Sequence, residues 1–272
     1  MCPVVDDPGK IGVAAADRSS VPDSGPGAAG GAATPTPVEE AVGAAFGALS
    51  RLRGARIFHP RGVGYTAVVR VEEPQARYSG VPLLERTGEH PAMVRFSRAA
   101  GLPEPLPDAL GLAVRLVDVH GPGRHQDFLL VTSADGPLLH HVLLPGVGGF
   151  FGQSFSSLLL YRVGRELRLV GATPATRPRA PERRGGLRDL VRVADRGELV
   201  FQLALAPLMG RLAPVADLEV RDRMPDDETE RLAFNPWNTG GGIRPTGPLM
   251  GLRQSAYRGS QEARGLQPTE IP

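Results

Sequence analysis

Arg253 and Tyr257 are spaced i, i+4 in a stretch (residues 249–264) that reads as a helix, so both lie on one face, one turn apart. A tyrosine hydroxyl normally holds its proton up to a pKa near 10. A guanidinium beside the oxygen favours the phenolate. A phenolate is a hard anionic ligand, suited to ferric iron. Arg264 follows seven residues after Tyr257, again on the same face, where its fork can meet a carboxylate in bidentate fashion. Each residue taken alone also reads as ordinary helix surface.

A second group lies far upstream, in Arg56-Ile57-Phe58-His59-Pro60-Arg61-Gly62-Val63-Gly64. His59 stands just before a strand, with an arginine three residues earlier. A neutral imidazole there can take a proton from a peroxide and return it to the leaving oxygen. A third group is Val94-Arg95-Phe96-Ser97. An arginine near a strand end calls for an anionic partner, and a serine hydroxyl can fix the tautomer of a histidine. Other histidines carry less. His140 and His141 are adjacent, and His120 and His125 flank a Gly/Pro turn, without convincing metal-ligand spacing. Gly240 to Gly242 belong to no phosphate-binding fingerprint and read as a sharp turn.

In this order the motifs resemble the catalase superfamily, especially its short catalase-related bacterial peroxidases and allene oxide synthase-like members. R-x-x-H-x-[KR]-G-x-G is matched at Arg56, His59, Arg61, Gly62 and Gly64, and V-R-F-S at Val94 to Ser97. A weakened D-x-R-G-F-A-V-K-F is matched at Asp108, Gly111, Ala113, Val114 and Arg115, with Leu110 where arginine is usual. R-x-x-x-Y is matched at Arg253 and Tyr257, with Arg264 seven residues on. The resemblance implies an α+β protein: an antiparallel β-barrel with packed helices, lacking the large catalases' C-terminal domain. It implies haem b, its iron held by Tyr257 and the phenolate supported by Arg253. His59 would be the distal acid/base, oriented by Ser97, and Arg56, Arg95 and Arg264 would meet the propionates.

The same comparison marks two departures. The family's distal asparagine position falls on Thr132, and Phe58 replaces a usual valine. The expected activity is therefore that of a peroxidase or catalase-like oxidoreductase acting on a peroxide or organic hydroperoxide, the peroxidase with an electron-donor co-substrate. Alternatives are a haem-dependent hydroperoxide isomerase or other biosynthetic haem enzyme, and a non-enzymatic protein of this fold that binds haem or lipid. The fold's relatives often self-associate, so a homo-oligomer is compatible with the sequence.

The remainder of the chain must position these groups. Its 272 residues are 41% hydrophobic and 22% charged, enough for a sizeable core. The net charge is only +2, and Lys10 is the one lysine. No dense basic run interleaved with aromatics points to nucleic acid. One cysteine, Cys2, allows no internal disulfide. No leader-like segment and no apolar run of membrane-spanning length is visible, so a cytoplasmic location without a membrane span is expected. Residues 1–36 are rich in Gly, Ala, Pro and Ser and read as a disordered tail, leaving 37–272 as the haem domain. A helix is expected from Pro37 to about Leu52. Strands are expected over Gly64–Glu73, Ala92–Ser97, Gly111–Val117, Asp127–Ser133, Glu198–Ala206 and Val215–Arg221, with a glycine-broken helical stretch over about 138–163.

Overall fold

The computed structural model describes residues 62–98, 108–146, 148–177, 179 and 186–246. The expected tail, the helix beginning at Pro37 and the helix over 249–264 lie outside these residues. Nine strands are present among them: β1 (Gly62–Val71), β2 (Gly88–Arg98), β3 (Leu110–Leu116), β4 (Gln126–Ser133), β5 (Ser154–Val163), β6 (Glu166–Pro174), β7 (Val200–Ala206), β8 (Ala213–Arg223) and β9 (Ile243–Pro245). Successive strands β1 to β8 pair antiparallel, and β8 returns to β1. The barrel therefore closes on itself, which leaves no long open edge.

Alternation explains why these segments are strands. Val63, Tyr65, Ala67, Val69 and Val71 of β1 are all buried, at period two. Across the wall, Tyr65 pairs with Val94, Val94 with Val114 and Val114 with Phe128, so the inward set stays in register. At one end the interior is aromatic. Phe96 meets Phe150 edge-on at 5.6 Å, Phe150 stacks on Phe155 at 6.2 Å, and Phe201 lies 5.6 Å from Phe96. This geometry suits aromatic quadrupoles. Tyr65 also belongs here. Burial pushes its hydroxyl up to about 12, helped by the Asp195 charge and opposed by Arg223. A helix, α2 (Leu187–Asp195), packs against β8 and the turn at Gly149–Phe151, burying Leu190, Val193 and Ala194. The shorter helix α1 (Pro82–Glu85) supplies buried Leu83 and Leu84. A third, α3 (Asp226–Arg231), follows β8.

The expected helix over 138–163 is not formed. Two single 3-10 turns, Leu139–His141 and Gly149–Phe151, precede strand β5. A run such as Leu158-Leu159-Leu160 cannot be divided between buried helix and buried strand by periodicity alone. Barrel closure decides it. The N-terminal part of β5 pairs with β4 through Val131–Ser156, Thr132–Phe155 and Ser133–Ser154, and its C-terminal part pairs with β9. Between the two, Leu158 adopts φ 56°, and its N–H donates to Ser156 Oγ at 3.0 Å. This bulge redirects the strand. Strands β6 and β9 and helix α2 were also unforeseen.

The turn that leads into β5 buries His140 and His141, rings 5.2 Å apart. His141 Nδ1 bonds the Leu158 carbonyl at 3.0 Å, while its Nε2 has no partner. Neither ring nitrogen of His140 makes a hydrogen bond of good geometry, although the Leu208 carbonyl lies near enough to favour its charged form slightly. Burial pushes both imidazoles below their ordinary range, and for His140 the neighbouring ring adds to this. The unfolded chain therefore binds protons that the folded chain refuses. Stability should be full above about pH 6.5 and fall as pH drops below it, by up to about 1.4 kcal/mol per pH unit for each histidine. Thermal denaturation between pH 7.5 and 5 should show this fall. The double substitution His140→Gln, His141→Gln should flatten it.

Candidate functional site

The outer face of the β1–β4 wall is organised in three cross-strand rows. Gly62, Ser97, Gly111 and Val131 form the first; Gly64, Arg95, Ala113 and Leu129 the second; Thr66, Met93, Arg115 and Asp127 the third. Opposed residues in an antiparallel pair share a face, and so do residues two apart along a strand. Arg95 and Ser97 thus project on the same side in adjacent rows, roughly 7 Å apart along the strand. Ser97 is buried and Arg95 partly so.

The two glycines of the first motif have distinct steric reasons. A Cβ on Gly62 would come within 2.7 Å of the Arg95 guanidinium, so that side chain lies directly over the glycine. A Cβ on Gly64 would come within 2.4 Å of Thr229 Oγ1, so α3 closes onto the wall there. Any larger residue at either position moves the arginine or the helix. Arg98 adds a nearby pair, its Nε 3.6 Å from the buried Asp108 carboxylate.

Thr132 is placed differently. Val131 belongs to the outer face, so Thr132 turns into the barrel beside Phe155 and is buried. Its hydroxyl donates to the Leu144 carbonyl at 2.6 Å and accepts from the Leu110 N–H at 3.2 Å. The thickness of the sheet separates it from Arg95 and Ser97. Its proton is committed to holding the loop after β4. The outer position of β4 in that row is the apolar Val131. His59, Arg56, Arg253, Tyr257 and Arg264 lie outside the described residues.

One polar cluster was missed by motif reading. On the third row, Arg115 donates from Nε to Asp127 Oδ1 at 2.7 Å and from Nη2 to Oδ2 at 2.6 Å. Oδ2 also accepts from the Asn235 N–H at 2.8 Å and from Asn238 Nδ2 at 2.9 Å. Arg115 further donates to the Ala233 carbonyl at 2.7 Å and lies over the Phe234 ring at 5.3 Å. Asp127 is wholly buried. The loop Phe234-Asn235-Pro236-Trp237-Asn238 is therefore fastened to the same wall that carries Arg95 and Ser97. Charged residues at outward positions of two adjacent expected strands were the available signal. Beyond the loop, Gly241 and Gly242 adopt φ 49° and 78° and turn the chain into β9. A Cβ on Gly242 would meet the Gly80 carbonyl at 2.2 Å, so only glycine fits.

No group of histidine, cysteine or carboxylate side chains able to hold a metal ion occurs among the described residues. No helix among them is long and apolar enough to cross a membrane.

The chain is similar in structure to a bacterial catalase, with a TM-score of 0.54, 17% sequence identity and 88% of this chain covered. It has the catalase-like fold. The match spans 63% of the catalase chain's length. No family model matches the sequence, and no curated protein matches it.

The Arg115–Asp127 pair generates a test of how the loop is held. Removing one partner of a buried ion pair strands the other, at a cost of about 3–5 kcal/mol. Asp127→Ala should destabilise the protein by that amount in urea denaturation. It should also expose the amides of Asn235 and Asn238 to hydrogen exchange ahead of global unfolding.

Proposed function

We propose that this protein is a haem-dependent oxidoreductase acting on peroxides, with organic hydroperoxides favoured over hydrogen peroxide. The observation that carries it is the outer face of the β1–β4 wall, within a catalase-like fold. There Arg95 and Ser97 stand in adjacent rows among the small residues Gly62, Gly111 and Ala113, with the Arg95 guanidinium lying over Gly62. Such a face suits a planar macrocycle with anionic carboxylates, met by a guanidinium at its edge.

Arg95 would hold a propionate there, together with Arg56 and Arg264. Tyr257 would ligate the iron as phenolate, with Arg253 favouring loss of its proton. When bound, haem b supplies the redox-active ferric iron at which the peroxide O–O bond is cleaved. His59 would take the peroxide proton and return it to the departing oxygen, its tautomer set by Ser97. An electron-donor co-substrate would complete the cycle.

The preference for organic hydroperoxides rests on β4. Its outward positions next to Ala113 and Gly111 are Leu129 and Val131, and the Thr132 hydroxyl is turned away and engaged. Thr132 then supports the wall and does not touch the substrate. An apolar lining of this kind receives an alkyl group without stranding a polar one. It equally supports the hydroperoxide isomerase, the second reading, which needs the same haem and no reductant.

Haem reconstitution of the purified chain should produce the Soret band of a tyrosinate-ligated ferric haem. Absence of any such species overturns the proposal. Tyr257→Phe should lose or mis-ligate the haem. His59→Ala should retain it and slow reaction with an organic hydroperoxide by about 10²–10⁴-fold. Oxidation of a dye without oxygen release identifies the peroxidase. Hydroperoxide consumption without reductant identifies the isomerase.

A further inference from the structure

The barrel contains a cavity at the end opposite its aromatic cluster. Its lining comes from eight segments and includes Val69, Phe128, Val170, Leu205, Val215 and Ala216. Its volume is about 30 Å³. A single water needs only about 10–15 Å³ by that measure, so space does not exclude one. Chemistry does. All of the lining side chains are aliphatic or aromatic, and a water needs two to four polar partners. The room is also far below the roughly 150 Å³ that accepts a benzene ring.

The cavity has a structural cause. Along β7 and β8 the register runs Leu203 to Ala216 and then Ala204 to Pro214. Val215 is the extra residue of a bulge. Consecutive residues of a regular strand point to opposite faces, yet Val215 and Ala216 both line the cavity. Ala204 and Ala216 are too small to fill the space the bulge opens. Leu83 and Leu84 of α1 close the end, and the chain just before α1 is wedged in place. A Cβ on Gly164 would meet the Ser79 carbonyl at 2.7 Å, and the Gly164 N–H donates to the Gly242 carbonyl at 2.8 Å. The walls therefore cannot collapse by a small shift of α1. Val215 is the one lining residue that is only partly buried, so it is the most exposed point of the wall.

We infer that this cavity is a binding site for one small apolar molecule of dioxygen size, admitted past Val215. Its size excludes fatty acyl chains and aromatic rings, and its lining excludes ions and polar metabolites. It lies inside the barrel, on the other side of the wall from Arg95 and Ser97, and does not depend on haem.

The test uses the full-length protein with methyl groups labelled for NMR, titrated with xenon and then equilibrated with dioxygen under pressure. Saturable xenon shifts are expected at the methyls of Val69, Val170, Leu205, Val215 and Ala216. Dioxygen should enhance paramagnetic relaxation at the same methyls. Ala216→Val should abolish both responses while the remaining spectrum stays that of the folded protein. Should that variant fail to fold, Val215→Ala serves instead and should bind xenon more tightly. Shifts absent at these methyls, responses that survive Ala216→Val in a folded protein, or xenon affinity unchanged by Val215→Ala would each overturn the inference.

Discussion

The buried Asp127 carboxylate is the constraint on which the β1–β4 wall depends. A fully buried charge is tolerated only when paired and hydrogen-bonded. Here the two oxygens accept bonds from Arg115 Nε, Arg115 Nη2, the Asn235 N–H and Asn238 Nδ2. Two of these donors come from the neighbouring strand and two from a loop more than a hundred residues later in the chain. The charge cannot be satisfied unless β3, β4 and that loop meet. It thereby fixes the path of the chain toward β9.

The same wall is governed by close approach. Gly62 admits the Arg95 guanidinium over β1, and Gly64 admits Thr229 of α3. These contacts fill both places where a side chain would otherwise stand. A cation is thus set down on the wall where the wall's own residue is glycine. The hydrophobic effect supplies the barrel, but it is indifferent to what stands outside. Glycine, serine and arginine at alternate positions make the outer face chemically distinct while the inner positions remain Val, Leu and Phe.

How much of this the sequence discloses follows from which forces are local. Period-two burial is written into β1 to β4 and β8, and these strands and β7 fall close to their expected limits. The motif glycines also mark real backbone approaches. Strand β5 was hidden because Leu158-Leu159-Leu160 is apolar on every face, and only its partners β4 and β9 define it. Helix α2 was hidden because Arg188 and Arg192 extend the charge of the Pro/Arg-rich segment before it, masking the apolar stripe of Leu190, Val193 and Ala194. The Asp127 cluster joins residues over a hundred positions apart, and no local pattern announces such a pairing. His59 and Tyr257, on which the expected chemistry rests, lie outside the described residues.

Thr132 and Val215 together show how much depends on strand parity. Shifting an assignment by one residue exchanges the two faces of a strand. Thr132 fills a motif position, and the pleat turns its hydroxyl inward and gives the outward position beside it to Val131. Further round the barrel, a bulge removes the alternation locally, and Val215 joins Ala216 on the interior. The consequences are opposite in kind. Regular pleating takes a hydrogen-bonding group away from the outer face and leaves it apolar beside Ser97. Irregular pairing opens an apolar space inside a core that would otherwise be filled. In both cases the chemistry available at a surface follows from hydrogen-bond register, because register determines which side chains the surface contains.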